Sequence, residues 1–318
     1  MAEAEVGDDD YGEDPTVNQL QETFAELTGK QAALYVPSGV MANQVALRTL
    51  TRPGDAVVAG ARQHVVVYEE GAASLNAGVT FLTVPDGDGT LGADAVENAI
   101  ESARHHQPPV ALISVEDTHM AAGGRVWDTS ARDRLAAVAS GRGIAVHMDG
   151  ARLWNAAVAT STSMRDRASF ATTVMCCLSK GLGAPVGSLL AGPSELIEAA
   201  HLHRKRLGGT MRQAGVLAAA GLVAIRDGFE RLAEDHRRAQ RLAEAVADRW
   251  PGIGFDPALV ETNIVVFRPP DPNQLLAHLA GEGIRAATIA PGVVRLVTHA
   301  DLDDGGIERV CQALASAP

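Results

Sequence analysis

Seven short apolar runs recur along this chain: "AALYV" at 32, "AVVAG" at 56, "VTFLTV" at 79, "VALISV" at 110, "IAVHM" at 144, "TVMCCLS" at 173 and "GSLLAG" at 187. Longer stretches of helical pattern separate most of them. A strand that is apolar throughout has both faces covered, and intervening helices of crossover length supply the cover, so the alternation predicts an α/β fold with a mostly parallel sheet. "GADAVENAIESARHH" and "TSARDRLAAVASGRG" carry apolar residues three and four apart, and the second opens with Thr129 and Ser130 as capping candidates and closes before a glycine. From 213 to 248 the pattern becomes a long helical stretch interrupted by "RDGFER", as if one helix hands over to another. Beyond it, "NIVVF" at 263, "PNQLLAHLAGEG" at 272, "VVRLV" at 293 and a last helix near 304 to 316 predict a smaller α+β unit. The division expected is therefore a large α/β domain over 1–230, with an N-terminal arm, and a small C-terminal α+β domain over 231–318. Seven of the first 14 residues are acidic, which by charge alone reads as a solvated arm.

At 318 residues the chain can bury a core in each unit. Its formal charge of −12 argues against nucleic acid or an anionic membrane surface as partner, so the basic cluster "HRKR" at 203–206 needs a local explanation. The longest apolar window, "AGVLAAAGLVAI" at 214–225, falls short of the roughly 18 residues of a membrane span, and no leader-like segment is recognisable. Three cysteines, two of them the adjacent pair Cys176 and Cys177, form neither a disulfide framework nor a spaced zinc site. The expectation is a soluble, cytoplasmic protein with reduced cysteines and no bound metal.

Residues with chemical potential cluster after the strand candidates. Asp149 ends the run "IAVHMD", and Arg152 follows as the chain enters a helix. A carboxylate at a strand's carboxyl end can meet a ligand or simply cap the helix. Lys180, in "LSKGLGAP", follows the next strand by a glycine-rich turn, 31 residues on. A lysine there is either the chain surfacing or an amine used in Schiff-base chemistry, which requires loss of its proton. A nearby carboxylate matching a pyridine nitrogen is the second requirement of pyridoxal phosphate, so the two residues together mean more than either alone. Ser38, Gly39 and Val40, between a strand and a helix, can present backbone N–H groups to a phosphate, or form an ordinary turn. No GxGxxG or GxxxxGK[ST] pattern supports a dinucleotide or nucleoside triphosphate. His64 and His119 each follow a strand in the same half of the chain, as structural residues or as an aromatic neighbour of a cofactor ring and a proton-transfer group.

The segments "VGDDDYGEDPTVNQLQETFAELTGKQAALYVPSGVMANQVAL", "EDTHMAAGGRV", "HMDGARLWNAAVA", "LSKGLGAPVGS" and "LGGTMRQAGVLAAAGL", in this order and spacing, resemble the low-specificity L-threonine aldolases. These are fold-type-I pyridoxal 5′-phosphate enzymes of the aromatic β-eliminating lyase/threonine aldolase group. The resemblance runs from about Glu3 to the C-terminus. It implies retro-aldol cleavage of L-threonine and L-allo-threonine to glycine and an aldehyde, with Lys180 anchoring the cofactor, Asp149 partnering its pyridine nitrogen, His64 stacking on its ring, and Ser38, Gly39 and Val40 cradling its phosphate. It further implies Arg152 near the cofactor hydroxyl and the substrate carboxylate, Arg295 on that carboxylate, and His119 near the substrate side chain. His119 or His64 is the candidate base. Lys205 and Arg212 are implied to reach cofactor or substrate from a neighbouring subunit, which requires a homodimer or homotetramer with shared active sites.

Two departures accompany the resemblance. Family members begin with a segment of the type "DLRSDTVT", whose serine helps hold the substrate carboxylate, and this sequence starts after it. Where the family commonly has threonine in the cradle, this chain has Val40, which removes one hydroxyl contact worth about 0.5 to 1.5 kcal/mol net. β-Elimination on another amino acid, and a catalytically impaired cofactor-binding homologue, are the competing expectations.

Overall fold

The structure, a computed structural model, describes residues 1–103 and 106–318. A seven-stranded sheet forms its centre: β1 (Ala32–Val36), β2 (Ala56–Gly60), β3 (Thr80–Val84), β4 (Val110–Glu116), β5 (Ala145–Asp149), β6 (Thr173–Cys177) and β7 (Ser188–Gly192), in the order β1-β7-β6-β5-β4-β2-β3. The pairs among β2 to β6 are parallel, while β7 runs antiparallel to both β6 and β1. Two antiparallel steps restore the direction, so β1 ends at the same edge as β6. All seven expected runs are strands.

Alternation along each strand divides the side chains between two cores. Val58, Ile113, Val146, Met148, Val174 and Cys176 face one side, against helices Pro15–Thr28, Thr129–Arg142 and Gly215–Gly228. Leu34, Val36, Met175, Cys177 and Leu190 face the other, against helices Gly39–Leu50 and Ser194–Arg206. The adjacent cysteines therefore point to opposite faces. A separate core gathers Leu242 and Val246 of helix Leu232–Arg249 and the adjoining Trp250 with strands β8 (Ile264–Phe267) and β10 (Val293–Val297) and helices Pro272–Gly281 and Asp304–Ser316, while β9 (Ala287–Ala290) pairs with β10. Among the described residues no helix is long and apolar enough to cross a membrane.

Two local expectations need correction. Helix Thr129–Arg142 is capped by Asp128, whose side chain accepts from Ala131 N, and not by Thr129 or Ser130, which lie inside its first turn. Nor is the acidic arm solvated throughout: Glu3, Glu5 and Glu13 are exposed, but its aspartates are engaged. Asp9 is buried against Arg204 (2.9 Å), Asp10 holds Lys205 (2.7 Å), and Asp8 accepts from Arg212 Nε at 2.7 Å. The arm is the local explanation of the basic cluster. Asp14, fully buried, caps helix Pro15–Thr28 through Thr16 N and Val17 N and also accepts from Gly215 N at 2.8 Å and Gly7 N at 3.2 Å. Asp14→Ala removes a cap and orphans a buried N–H, and is expected to cost about 3 kcal/mol. Urea unfolding of the purified chain checks this; a loss below about 1 kcal/mol would mean that water replaces the carboxylate.

Candidate active site

The carboxyl edge of the sheet carries the site, as open α/β sheets do. Glu116 and Asp149 are paired register neighbours at the ends of β4 and β5. Lys180 lies three residues beyond β6, His64 four beyond β2, and Ser38 two beyond β1. Ser38, Gly39, Val40, His64, Asp149, Arg152 and Lys180 line one cavity of about 190 Å³, together with Asn43, Glu116 and Thr118. Its size suits a small molecule.

Asp149 is 4% exposed, yet its carboxyl lies below the usual carboxylate range. Burial opposes the charge, and the Lys180 ammonium, His64, and hydrogen bonds from Asn43 Nδ2 (2.7 Å) and Ala151 N (3.0 Å) outweigh it. The bond from Ala151 is cap-like, but Asp149 does not cap the following helix, which begins at Leu153 with Arg152 before it. Asn43 Nδ2 also donates to Glu69 Oε1 at 2.8 Å, and Glu69 accepts from Gln44 Nε2 at 2.6 Å and meets His64 Nδ1 at 3.0 Å. His147, pushed down to about 4 by burial, is neutral. With Nδ1 facing the Thr173 hydroxyl at 2.9 Å, its Nε2–H donates to Asn43 Oδ1 at 3.1 Å. That bond fixes which way the Asn43 amide points. His64, Glu69 and Asp149 offer donor atoms within 4.8 Å of one another, a spacing compatible with a metal, but the Asn43 amide already sits between the two carboxylates.

His64 is raised above its ordinary value: burial lowers it, and Glu69 with the Asp149 and Glu116 charges more than compensates. With Nδ1 turned to Glu69, Nε2 is the nitrogen left for a ligand. Glu116, whose carboxyl burial pushes up, accepts from His64 N at 2.6 Å and Met120 N at 2.8 Å. It thereby clamps the backbone on both sides of the cavity.

Helix Gly39–Leu50 points its N-terminus into the cavity. Ser38 Oγ accepts from Met41 N at 3.2 Å, and the N–H groups of Gly39 and Val40 take no partner among the described residues. A Cβ at Gly39 would come within 2.8 Å of Cys177 Sγ and 3.1 Å of Met175 Cε, so only glycine lets the turn approach β6 this closely. Arg152 Nε and Thr118 Oγ1, both on the cavity wall, are buried polar atoms with no hydrogen-bond partner. Burial lowers the Arg152 guanidinium, and the nearby Arg295 charge lowers it further. A helix N-terminus, unpaired guanidinium and hydroxyl groups, an amine and a buried anion suit a ligand with phosphate, carbonyl and ring-nitrogen functions. Pyridoxal phosphate fits that donor set.

The remaining expected residues are placed differently. Arg295, on β10, does not line this cavity but lies close enough for its charge to act on Arg152 and Tyr68. Lys205 and Arg212 are exposed and paired with Asp10 and Asp8, away from the cavity wall. His119 requires a correction. Its ring is fully buried, with Nε2 on Asp86 Oδ2 (2.9 Å) and Nδ1 accepting from Ala122 N (3.2 Å), and it does not line the cavity. Both nitrogens are in use, so it is not available as a base in this arrangement. Sequence reasoning missed Asn43, Glu69 and Glu116. Only the polar character of "ANQ" inside an otherwise apolar helix hinted at the first.

Residues 1–269 match the family described as Beta-eliminating lyase. The chain is 39% identical over 308 residues to low-specificity L-threonine aldolase 1 of Arabidopsis thaliana, covering 94% of this chain and 86% of that one. It is 38% identical over 306 residues to the low specificity L-threonine aldolase of Escherichia coli strain K12, covering 95% and 89%. Among solved structures, Leishmania major threonine aldolase superposes with a TM-score of 0.82 at 22% identity, covering 99% of this chain and 92% of that one, and so shares its fold. With a family match over most of its length and relatives of this identity, the chain belongs to the β-eliminating lyase family, within the group of low-specificity L-threonine aldolases.

Proposed function

We propose that this chain is a pyridoxal 5′-phosphate-dependent carbon–carbon lyase that cleaves L-threonine, L-allo-threonine and related β-hydroxy-α-amino acids to glycine and an aldehyde. The observation that carries this reading is an ionised, buried Asp149 within the field of Lys180, beside a helix N-terminus with unpaired N–H groups. Ser38, Gly39 and Val40 would hold the phosphate, Asp149 the pyridine nitrogen, Lys180 Nζ the carbonyl carbon, and His64 would lie against the ring. When bound, the cofactor supplies an electron sink for the pair left on Cα as the Cα–Cβ bond breaks.

The protein's own groups do the rest. Arg152 and Arg295, two cations with overlapping fields, hold the substrate carboxylate, whose arrival relieves their mutual repulsion. Neutral His64 accepts the β-hydroxyl proton at Nε2, the Cβ–O bond becomes the aldehyde carbonyl, and the proton returned to Cα yields glycine. Asp149 keeps its negative charge throughout, which holds a proton on the ring nitrogen opposite it. Lys205 and Arg212 are proposed to act across an interface in a homodimer or homotetramer. A cytoplasmic location is proposed because the three cysteines are free thiols, as a reducing compartment keeps them.

The test is to purify the chain with pyridoxal phosphate, remove the excess, record the visible spectrum, then add L-threonine. A Lys180-dependent band, with glycine and acetaldehyde formed in equal amounts, is expected. Lys180→Ala loses the band, and a variant that kept it would refute the assignment. A 2-oxo acid and ammonia in place of those products would make the chain a β-eliminating enzyme. Asp149→Ala is expected to retain some cofactor and lose turnover by about 10²- to 10³-fold.

The pH dependence follows from His64. A base must be neutral, and His64 is held above its ordinary value, so kcat/KM rises with pH through that elevated value. Glu69→Gln removes a charge that raises it, and moves the acid limb of kcat/KM to lower pH. An acid limb that stays in place in this variant would take His64 out of the role.

A further inference from the structure

Lys180 sits in a loop whose internal bonds are few: Gly183 N donates to Lys180 O at 3.0 Å and Ala184 N to Leu178 O at 3.0 Å. Gly183, at φ 81°, supplies the left-handed step. From outside the loop, the Tyr35 hydroxyl donates to Val186 O at 3.5 Å close to β7, and a second polar tie reaches the turn that carries Lys180. Arg231 Nη2 donates to Gly181 O at 3.1 Å, and the same guanidinium grips Asp235 with both Nη atoms, at 2.9 Å each. Asp235 is fully buried, and the Arg231 side chain only 27% exposed.

The same stretch of chain also packs against the loop. A Cβ on Gly181 would meet Leu232 Cδ2 at 2.7 Å, and one on Gly228 would meet Leu182 O at 2.9 Å. The hand-over between helices Gly215–Gly228 and Leu232–Arg249 thus closes on the lysine loop with no room for a side chain.

From Asp235 the connection continues into the smaller core. Thr298 Oγ1 donates to Asp235 O at 2.6 Å, and Asn263 Nδ2 donates to Thr298 O at 2.9 Å. Thr298 directly follows β10 and stands three residues from Arg295. Asn155, in the helix that Arg152 precedes, donates from Nδ2 to His236 Nε2 at 3.0 Å and lies 3.4 Å from Asn263 Oδ1. Asn155, Asp235, Asn263 and Thr298 are each buried, where unsatisfied polar groups are costly and alternative geometries few.

We infer that Arg231, oriented by Asp235, is a positioning residue for Lys180 that ties the lysine loop to the element carrying Arg295. The bidentate grip removes the freedom of the arginine side chain, so the Gly181 carbonyl is held at a fixed distance from Asp235. Through Thr298, a displacement of β10 reaches Asp235 and from there the loop. The inference rests on the reading of Lys180 as the cofactor lysine.

The experiment compares the full chain with Arg231→Gln and with Arg231→Lys, which keeps the charge but not the planar double grip. Hydrogen exchange of the peptide spanning 178–184 is read without cofactor. The pH midpoint of the visible band is read with it, and a thermal melt records the overall fold. Arg231→Gln is expected to speed loop exchange about tenfold, the equivalent of one charge-assisted hydrogen bond, and to shift the band midpoint, with Arg231→Lys intermediate in both. Unchanged loop exchange overturns the tie. Faster exchange with an unmoved midpoint overturns the positioning of Lys180 and leaves only a structural bond. An unsubstituted chain with no visible band sinks the cofactor reading itself, and the proposal with it, whereas the exchange data still report on the tie.

Discussion

A carboxylate that stays ionised while buried is the constraint on which the rest of this structure depends. Desolvation alone would drive Asp149 towards the neutral acid, and a neutral acid could not hold a cation opposite it. The charge survives because Lys180 and His64 lie within its field and because Asn43 and Ala151 each donate a hydrogen bond to it. Asn43 in turn points the right way because His147 is kept neutral by burial and donates to the amide oxygen. A line of five side chains, Thr173, His147, Asn43, Asp149 and Glu69, therefore sets the electrostatics of the cavity from inside the sheet. Of the five, Asn43 and Asp149 line the cavity.

The sheet makes that line possible. β4, β5 and β6 run parallel with Glu116, Asp149 and Met175 in register, so the ends of β4 and β5 deliver two carboxylates to one edge, with His147 and Thr173 paired behind them. β7, reversed between β6 and β1, brings the Ser38 turn to the same edge without a crossover helix. The close approach of Gly39 to Cys177 and Met175 is a consequence of that arrangement. The ends of β1 and β6 stand on either side of β7, and a helix N-terminus can share a small cavity with an amine only if the turn has no side chain in between.

Much of this was legible from the sequence, and the reasons for the rest are physical. Most strands of the large sheet could be found because both faces are buried, which makes each a nearly continuous apolar run, whereas the edge strand β3 is only partly buried. β9, "ATIA", is exposed along most of its length and carries no such signal. Lys180, Asp149 and the Ser38 turn were legible because each follows a strand, where position limits what a polar residue can do. Asn43, Glu69 and Glu116 were not, since their roles come from partners 25 to 106 residues away or from the backbone of two different loops. His119 was misread for a related reason: its place after β4 is as expected, but Asp86, on another loop, turns the ring away from the cavity. The arm was misread because charge density says nothing about whether complementary charges wait in the fold.

That arm also bears on how an anionic ligand reaches a chain with a formal charge of −12. A uniformly negative surface would repel a phosphate or an amino-acid carboxylate. Around the arm the cations are paired off: Arg204 with Asp9, Lys205 with Asp10, Arg212 with Asp8. At the cavity they are not. The side chains of Lys180 and Arg295 take no hydrogen bond or ion pair among the described residues, and Arg152 Nε is buried without a partner. Net charge is a poor guide to such a site, because the attraction comes from cations left unpaired against a background in which others are neutralised. Within the chain, the acidic arm neutralises Arg204, Lys205 and Arg212, whereas the cations near the sheet edge keep their charge free for a ligand beside the buried Asp149.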